Sequence, residues 1–303
     1  MSESIMHIKS ISDLHQILGY EKPKHPLISL IDVKKLPKEV NFNGVKMSAD
    51  FYLISMKEHD CGMTYGRNYY DFQEGTMIFT APNQVVSSNS DSVDENSEGW
   101  MLFFHPDLIR DTALGEKIDE FRFFSYDSHE ALHLSDQEKK VIHDCLDNIV
   151  YEYNHSIDGH SKSLFVSNLE LILNYCQRFY DRQFHTRTTQ HKDVISAFEQ
   201  NLKSYINSDE LSNLGLPTVQ YLASQVNLSP NYFGDLLKKE TGKSVKEHIN
   251  SVVVNKAKTM LLNSSKTVSE VAYELGFNYP HYFSRMFKSN TGFTPQKYRE
   301  SLN

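Results

Sequence analysis

"VAYELGFNYPHYFSRMFKSNTGFT", residues 271–294, repeats the plan of "LASQVNLSPNYFGDLLKKETGKS", residues 222–244. Ala223 aligns with Ala272, Phe233 with Phe283, Lys238 with Lys288 and Gly242 with Gly292. The alanines are 49 residues apart and the glycines 50, so the second copy has one more residue in its turn. Each copy reads as a short helix, a tight turn and a second helix, the helix-turn-helix arrangement. Ser229 can cap the second helix of the first copy, and Pro230 sits at its first position, where a missing N–H costs nothing. Pro280 marks the same place in the second copy. Small Ala223 and Ala272 fall where two helices must cross closely. Phe233, Leu236 and Leu237, like Phe283, Met286 and Phe287, supply the apolar face of that crossing.

Between the copies, "SVKEHINSVVVNKAKTMLLNSS" (244–265) opens with a capping box, Ser244 with Glu247, and predicts a helix of about 18 residues. Such a rod is roughly 27 Å long, enough to set two reading helices into major grooves about one DNA turn (~34 Å) apart. "TVSE" (267–270) caps the next helix, and Thr294-Pro295 starts the last one. The spacing predicts helices near 191–207, 218–226, 230–240, 245–262, 268–275, 280–289 and 295–301.

Charge agrees with this division. The chain of 303 residues carries a formal net charge of −8. Residues 216–303 hold 11 Lys and Arg against 6 Asp and Glu, whereas residues 1–215 hold 20 against 33. Only the C-terminal part therefore has a basic excess to offer a polyanion. No apolar run approaches the ~18 to 20 residues that cross a bilayer, so no membrane partner is expected. The start, "MSESIMHIKS", has no basic segment followed by an apolar one. Three well-separated cysteines, Cys61, Cys145 and Cys176, suit free thiols in a reducing compartment. A cytoplasmic location follows as the expectation.

The front of the chain has a different texture. Residues 8–18 read as a short amphipathic helix. From about 27 to 104, short apolar or alternating runs ("PLISLIDV", "DFYLISMK", "GTMIFTA", "GWMLFF") are broken by Gly, Pro and Asn, which predicts a β-sandwich or barrel. The stretch "NSDSVDENSEG" reads as an exposed acidic loop. Aromatic residues crowd this region, and Phe51, Tyr65, Tyr70, Phe72 and Trp100 fit either a pocket for a small organic ligand or ordinary core. "SDQE" (135–138) is a second capping box and begins a helical hairpin, 135–183. Its apolar stripe (Val141, Ile142, Cys145, Ile149, Val150) could be buried within one chain or against a second copy. The polar stretch "RQFHTRTTQHKD" around 184–192 reads as a linker. The domain layout expected is thus 1–134, 135–183, the linker, and 193–303.

One motif points to different chemistry. "HEALH" (129–133) fits the H-E-x-x-H pattern that binds zinc when both histidines share a helix face. Ser135 caps a helix that begins after His133, which places the motif in the approach to that helix and argues against a zinc hydrolase. The stretch "YGRNYYDFQEGTMIFTAPNQVV" has no histidine, so a metal-holding barrel is disfavoured too. No metal, cofactor or catalytic residue is expected, and a non-sequence-specific architectural DNA binder is the other alternative.

"VSEVAYELGFNYPHYFSRMFKSNTGFTPQKYR" resembles the DNA-binding domain of AraC/XylS-type transcription regulators, and the likeness extends over about 216–302. The front part resembles, far more loosely, the cupin-like sensing barrel and dimerisation helices common in that family. The resemblance implies an α+β multidomain chain in which a cupin-like β-barrel or sandwich with dimerisation helices precedes an all-α domain with two helix-turn-helix motifs. It implies double-stranded DNA as partner, a homodimer, and contact with RNA polymerase and a small effector as further partners. It also places His281 and Arg285 against base edges; the exposed side of the same helix offers Ser284 as well, and Lys288 and Lys297 are expected on phosphate. The corresponding positions of the first reader are Asn231, Tyr232, Asp235, Lys238 and Lys239. This copy departs from the pattern: Gly234 offers no side chain, and Asp235 opposes phosphate. Val253 stands where the family often has an arginine.

Overall fold

The computed structural model describes residues 5–37, 45–57, 75–87, 98–263 and 266–300. The chain divides into two units, Met1–Thr186 and Arg187–Asn303.

In the first unit the alternating runs form strands. A five-stranded sheet has the order β2 (Ile28–Asp32), β7 (Gly99–Phe104), β4 (Tyr52–Lys57), β5 (Gly75–Thr80), β8 (Leu132–Leu134), all pairs antiparallel. A smaller sheet joins β1 (Met6–Ile8), β3 (Lys46–Ala49) and β6 (Val86–Ser87), with β1 and β3 parallel. Strand side chains alternate between faces, and both faces of the large sheet are covered. Ile31 and Phe103 pack on one side with Ile11 and Leu14 of α1 (Ile11–Ile17). On the other, Phe79 meets Phe123 at 4.4 Å between ring centres, and Phe123 stacks on Tyr180 at 5.5 Å. A fully buried ring contributes about 1.5–3 kcal/mol, so these aromatics are a large part of the unit's stability. Two short helices, α2 (Pro106–Ile109) and α3 (Ala113–Lys117), follow β7.

The hairpin forms as α4 (Asp136–Tyr153) and α5 (Ser161–Thr186). Its capping box is present, with Ser135 Oγ accepting from Glu138 N and Glu138 Oε2 from Ser135 N. Glu138 also receives a two-pronged hydrogen bond from Arg182, at 3.0 and 2.8 Å, tying the start of α4 to the end of α5. The stripe turns inward with Ile142, Cys145, Leu146 and Ile149 buried. The polar segment taken for a linker is helical on both sides of Arg187, because α5 runs to Thr186 and α6 (Thr188–Asn207) starts at Thr188. The break is confined to Arg187, and Gln183, Arg187 and His191 of this segment are buried.

The second unit continues with α7 (Glu210–Leu214), α8 (Val219–Ser224), α9 (Pro230–Thr241), α10 (Val245–Asn263), α11 (Val268–Glu274), α12 (Pro280–Thr291) and α13 (Pro295–Glu300). One core serves both copies of the repeat: Phe198 and Leu202 of α6, Ala223, Phe233 and Leu237 of the first, Ala272, Phe283 and Phe287 of the second, and Val253 and Ala257 of α10. Val253, at the position where the resemblance leads one to look for an arginine, is fully buried. Among the described residues, no helix is long and apolar enough to cross a membrane.

Candidate nucleic-acid interface

The repeat holds down to single hydrogen bonds. In each turn a backbone N–H reaches back to the small alanine's carbonyl: Leu228 to Ala223 at 3.1 Å, and Phe277 to Ala272 at 3.0 Å. The turn needs a left-handed residue, which is Asn227 (φ 54°) in the first copy and Gly276 (φ 79°) in the second. Ser229 Oγ caps α9 by accepting from Tyr232 N at 3.2 Å, whereas Tyr279 makes no side-chain cap for α12. Both helices end on a left-handed glycine, Gly242 or Gly292, whose N–H bonds to the carbonyl of Lys238 or Lys288 at 2.9 Å. Thr241 and Thr291 then bond back to Leu237 and Phe287 at 2.7 and 2.8 Å.

Between the two, α10 runs 19 residues and so spans about 28 Å. Ser244 and Glu247 form its capping box, and Thr267 and Glu270 form that of α11. The C-terminal end of α10 is held by Arg299, which donates to the carbonyls of Leu261 (2.9 Å) and Lys266 (2.7 Å). Arg299 is thus a structural group.

Burying one face of α12 leaves the other to solvent. Phe283 and Phe287 are fully buried, and His281, Arg285 and Lys288 are exposed, with Ser284 half-buried between them. Among the described residues, the side chains of Arg285 and Lys288 make no hydrogen bond or ion pair, so an intramolecular ion pair does not occupy Arg285. Lys297 lies exposed on α13. Two further exposed residues went unnoticed in the sequence: Tyr279 and Tyr282, 59% and 55% exposed, which cluster with His281 (ring centres 5.7 and 4.2 Å from it) at the start of α12. The doubled aromatic in "YPHYF" was the available signal.

The first reader is different. Lys238 is exposed, and Asn231, Asp235 and Lys239 are half-buried. Tyr232 must be removed from the reading face, because it is only 3% exposed. The reason is the width of the packed face: α9 buries Tyr232, Phe233, Leu236 and Leu237, two adjacent pairs, where α12 buries only Phe283 and Phe287. α6 packs against α9.

Two histidines hold the first reader in place. His191 of α6 is buried, with Nδ1 3.2 Å from Glu240 Oε1 of α9, and His248 of α10 is 2.8 Å from Thr241 Oγ1. Burial pushes both imidazoles below their ordinary range; at His191 the Glu240 carboxylate opposes this without overcoming it. Groups whose folded pKa is depressed contribute stability that is present above the unfolded value and lost as pH falls through and below about 6.5. Unfolding of the second unit should accordingly become easier between pH 7.5 and 5. Glu240→Gln removes the opposing carboxylate, so its loss of melting temperature across that range should exceed the wild type's. An equal loss would show that His191 does not report on this contact.

In the first unit the two pocket candidates that are described, Phe51 and Trp100, lie on opposite faces of the sheet. Phe51 packs edge-on against Phe103 at 5.6 Å within the core around α1. Trp100 is buried too, but three positions from Phe103 on the same strand, so the pleat sends it to the opposite face. Tyr65, Tyr70 and Phe72 lie outside the described residues, as does Cys61. Burial raises the pKa of both Cys145 and Cys176, which makes them poor nucleophiles. The "HEALH" residues share no helix: a single 3-10 turn covers Ser128–Glu130, and His133 is on strand β8 opposite Thr76. The approach to α4 is therefore turn and strand, not loop. Asp127, His129 and Glu130 place one ligand atom each within 4.8 Å of one another, but the Glu130 carboxylate already accepts from Asp127 N at 2.8 Å as a turn cap.

A helix-turn-helix domain family matches residues 222–301. An uncharacterised HTH-type transcriptional regulator from the cgkA 5′ region of Pseudoalteromonas carrageenovora is 33% identical over 104 residues, 34% of this chain and 60% of that protein. YfiF of Bacillus subtilis, also named an uncharacterised HTH-type transcriptional regulator, is 26% identical over 242 residues, 77% of this chain and 71% of its own length. Among solved structures, an AraC-type transcriptional regulator from Chromobacterium violaceum aligns with a TM-score of 0.33 at 17% identity, covering 37% of this chain and 94% of that one. The chain spans between 26% and 60% of the length of four of the curated relatives it matches. Residues 222–301 of this chain carry a helix-turn-helix domain, and relatives that share it are named HTH-type transcriptional regulators.

Proposed function

We propose that the chain is a sequence-specific transcription regulator, not an enzyme, that sets α9 and α12 into successive major grooves of double-stranded DNA. The observation that carries this reading is the exposed His281–Arg285–Lys288 face of α12, opposite its buried phenylalanines and joined to a second helix of the same kind by one stiff rod. Base reading falls mainly to α12. Arg285 can bridge guanine O6 and N7, and His281, Tyr279 and Tyr282 can contact neighbouring base edges and sugars. Lys238, Lys288 and Lys297 anchor phosphate, with Lys239, Asn231 and Asp235 of α9 at the margin of the contact. Competition at fixed salt between an enriched genomic fragment and bulk DNA tests the proposal. A preference of about 10³-fold or more is expected, and near-equal binding would favour an architectural role. Lys238→Ala should weaken binding to all sequences alike and lower the slope of log K against log salt by about 0.9; an unchanged slope would remove Lys238 from the phosphate contacts.

The first unit is read as the sensing and dimerising part, its sheets being the counterpart of a cupin-like module in a cytoplasmic regulator. Its α5 leaves Leu164 and Leu171 46% and 43% exposed, seven residues apart on one face, with Tyr151 and Ile157 exposed nearby in sequence. This supports a homodimer through the hairpin. Leu171→Glu should shift sedimentation towards the monomer, and a wild-type profile in that variant would count against this surface. RNA polymerase is the further protein partner expected of such a regulator.

A further inference from the structure

A cleft of about 270 Å³ opens in the first unit, away from the aromatic residues considered above. One wall is the segment that follows α1, with Tyr20, Lys22 and Lys24; the floor is β2 with Asp32; Lys35 stands at the rim and the C-terminal end of α4 forms the other wall. Its shape is held by hydrogen bonds. Buried His15 donates from Nδ1 to the Glu21 carbonyl and meets Ser29 Oγ with Nε2 at 2.7 Å, so the wall is pinned to β2. Across the mouth, Lys24 N donates to the Tyr153 hydroxyl at 2.9 Å and Lys24 Nζ to Asn154 Oδ1 at 2.6 Å. The walls are thus fixed relative to each other without a ligand.

The charges are unevenly satisfied. Lys34, next along the chain, pairs with Glu98 at 2.7 Å, but among the described residues Lys22 and Lys35 have no ion-pair partner. Lys24 spends its ammonium on a neutral carboxamide. Two carboxylates, Glu21 and Asp32, also line the cleft, and Asp32 Oδ1 already accepts from Lys34 N at 3.0 Å. Three ammonium groups beside two carboxylates and two phenols suit a molecule with an anionic end and several hydroxyls: lysines take the anion, and carboxylates accept from the hydroxyls. We infer that this cleft binds a small polyhydroxylated anion of the sugar-phosphate class. The inference gives the sensing role of the first unit a place and a ligand class, yet its test needs no DNA, so it can fail while the DNA-binding reading stands.

Titration calorimetry of the full chain with glucose 6-phosphate, inorganic phosphate and glucose tests it. Glucose 6-phosphate should bind saturably, one per chain, at least tenfold more tightly than phosphate, and glucose should give no saturable heat. Lys22 and Lys35 are exposed, so the double variant Lys22→Gln/Lys35→Gln should keep the wild-type melting temperature and lose at least tenfold in affinity for both phosphate probes. Asp32→Asn, which keeps an acceptor for Lys34 N, should weaken glucose 6-phosphate but not inorganic phosphate. Absence of saturable binding by either phosphate probe up to about 10 mM, or undiminished binding in the double variant, would overturn the inference.

Discussion

Alanine at position 276 should lower the melting temperature of the second unit by about 10 °C, the largest stability effect expected of any single methyl group in it. Two costs combine. The residue lies at φ 79°, in the left-handed region, where a side chain costs about 1–3 kcal/mol. A Cβ there would also stand 2.4 Å from the Leu211 carbonyl oxygen and 2.8 Å from the Gly215 Cα, backbone atoms that cannot rotate away. The turn of the second helix-turn-helix therefore leans directly on the end of α7. Gly242 separates the two costs: its φ is 73°, but nothing lies within 4 Å of an added Cβ. Gly242→Ala should lose only the conformational part, a few degrees. Equal shifts in the two variants would show that the contact with α7 yields freely.

Arg285→Ala should weaken binding to a selected site by roughly 10- to 100-fold, the equivalent of about 1–3 kcal/mol, while leaving affinity for bulk DNA nearly unchanged. The side chain is exposed and has no intramolecular partner among the described residues, so melting temperature should stay at the wild-type value. Lys288→Ala is the counterpart: a group that contacts phosphate carries no base information, so both affinities should fall together. Gel-shift titration of the three proteins on both DNAs separates these outcomes. A parallel loss on selected and bulk DNA for Arg285→Ala would reassign the arginine to phosphate.

The second unit was largely legible from its letters because its signals are local. Ser229, Thr267 and Ser244 accept the hydrogen bonds that their spacing predicted, and Pro230 and Pro280 open the two reading helices. What failed were properties set by neighbours distant in sequence. Tyr232 and Tyr282 occupy equivalent positions, yet one is buried and the other open, because the packed faces of α9 and α12 differ in width. The five residues of α7 are too few for a period to show, although Ser208 before them and Gly215 after them mark the ends. Polar composition at 184–192 marks where the two units divide, but it does not reveal that the chain is helical on both sides of Arg187. In the first unit, alternation revealed the strands but not their partners. Phe51, which precedes β4 and packs on Phe103, and Trp100 lie on opposite sides of one sheet, something only tertiary packing can decide.

The most direct test of two reading helices on one rod is selection of bound fragments from a pool of random DNA with the purified full chain. Two enriched blocks should emerge with centres about 10–10.5 base pairs apart, and insertion of about five base pairs between them, half a turn, should abolish the gain from the second block. A single enriched block, or two whose spacing can be varied without loss, would contradict the account.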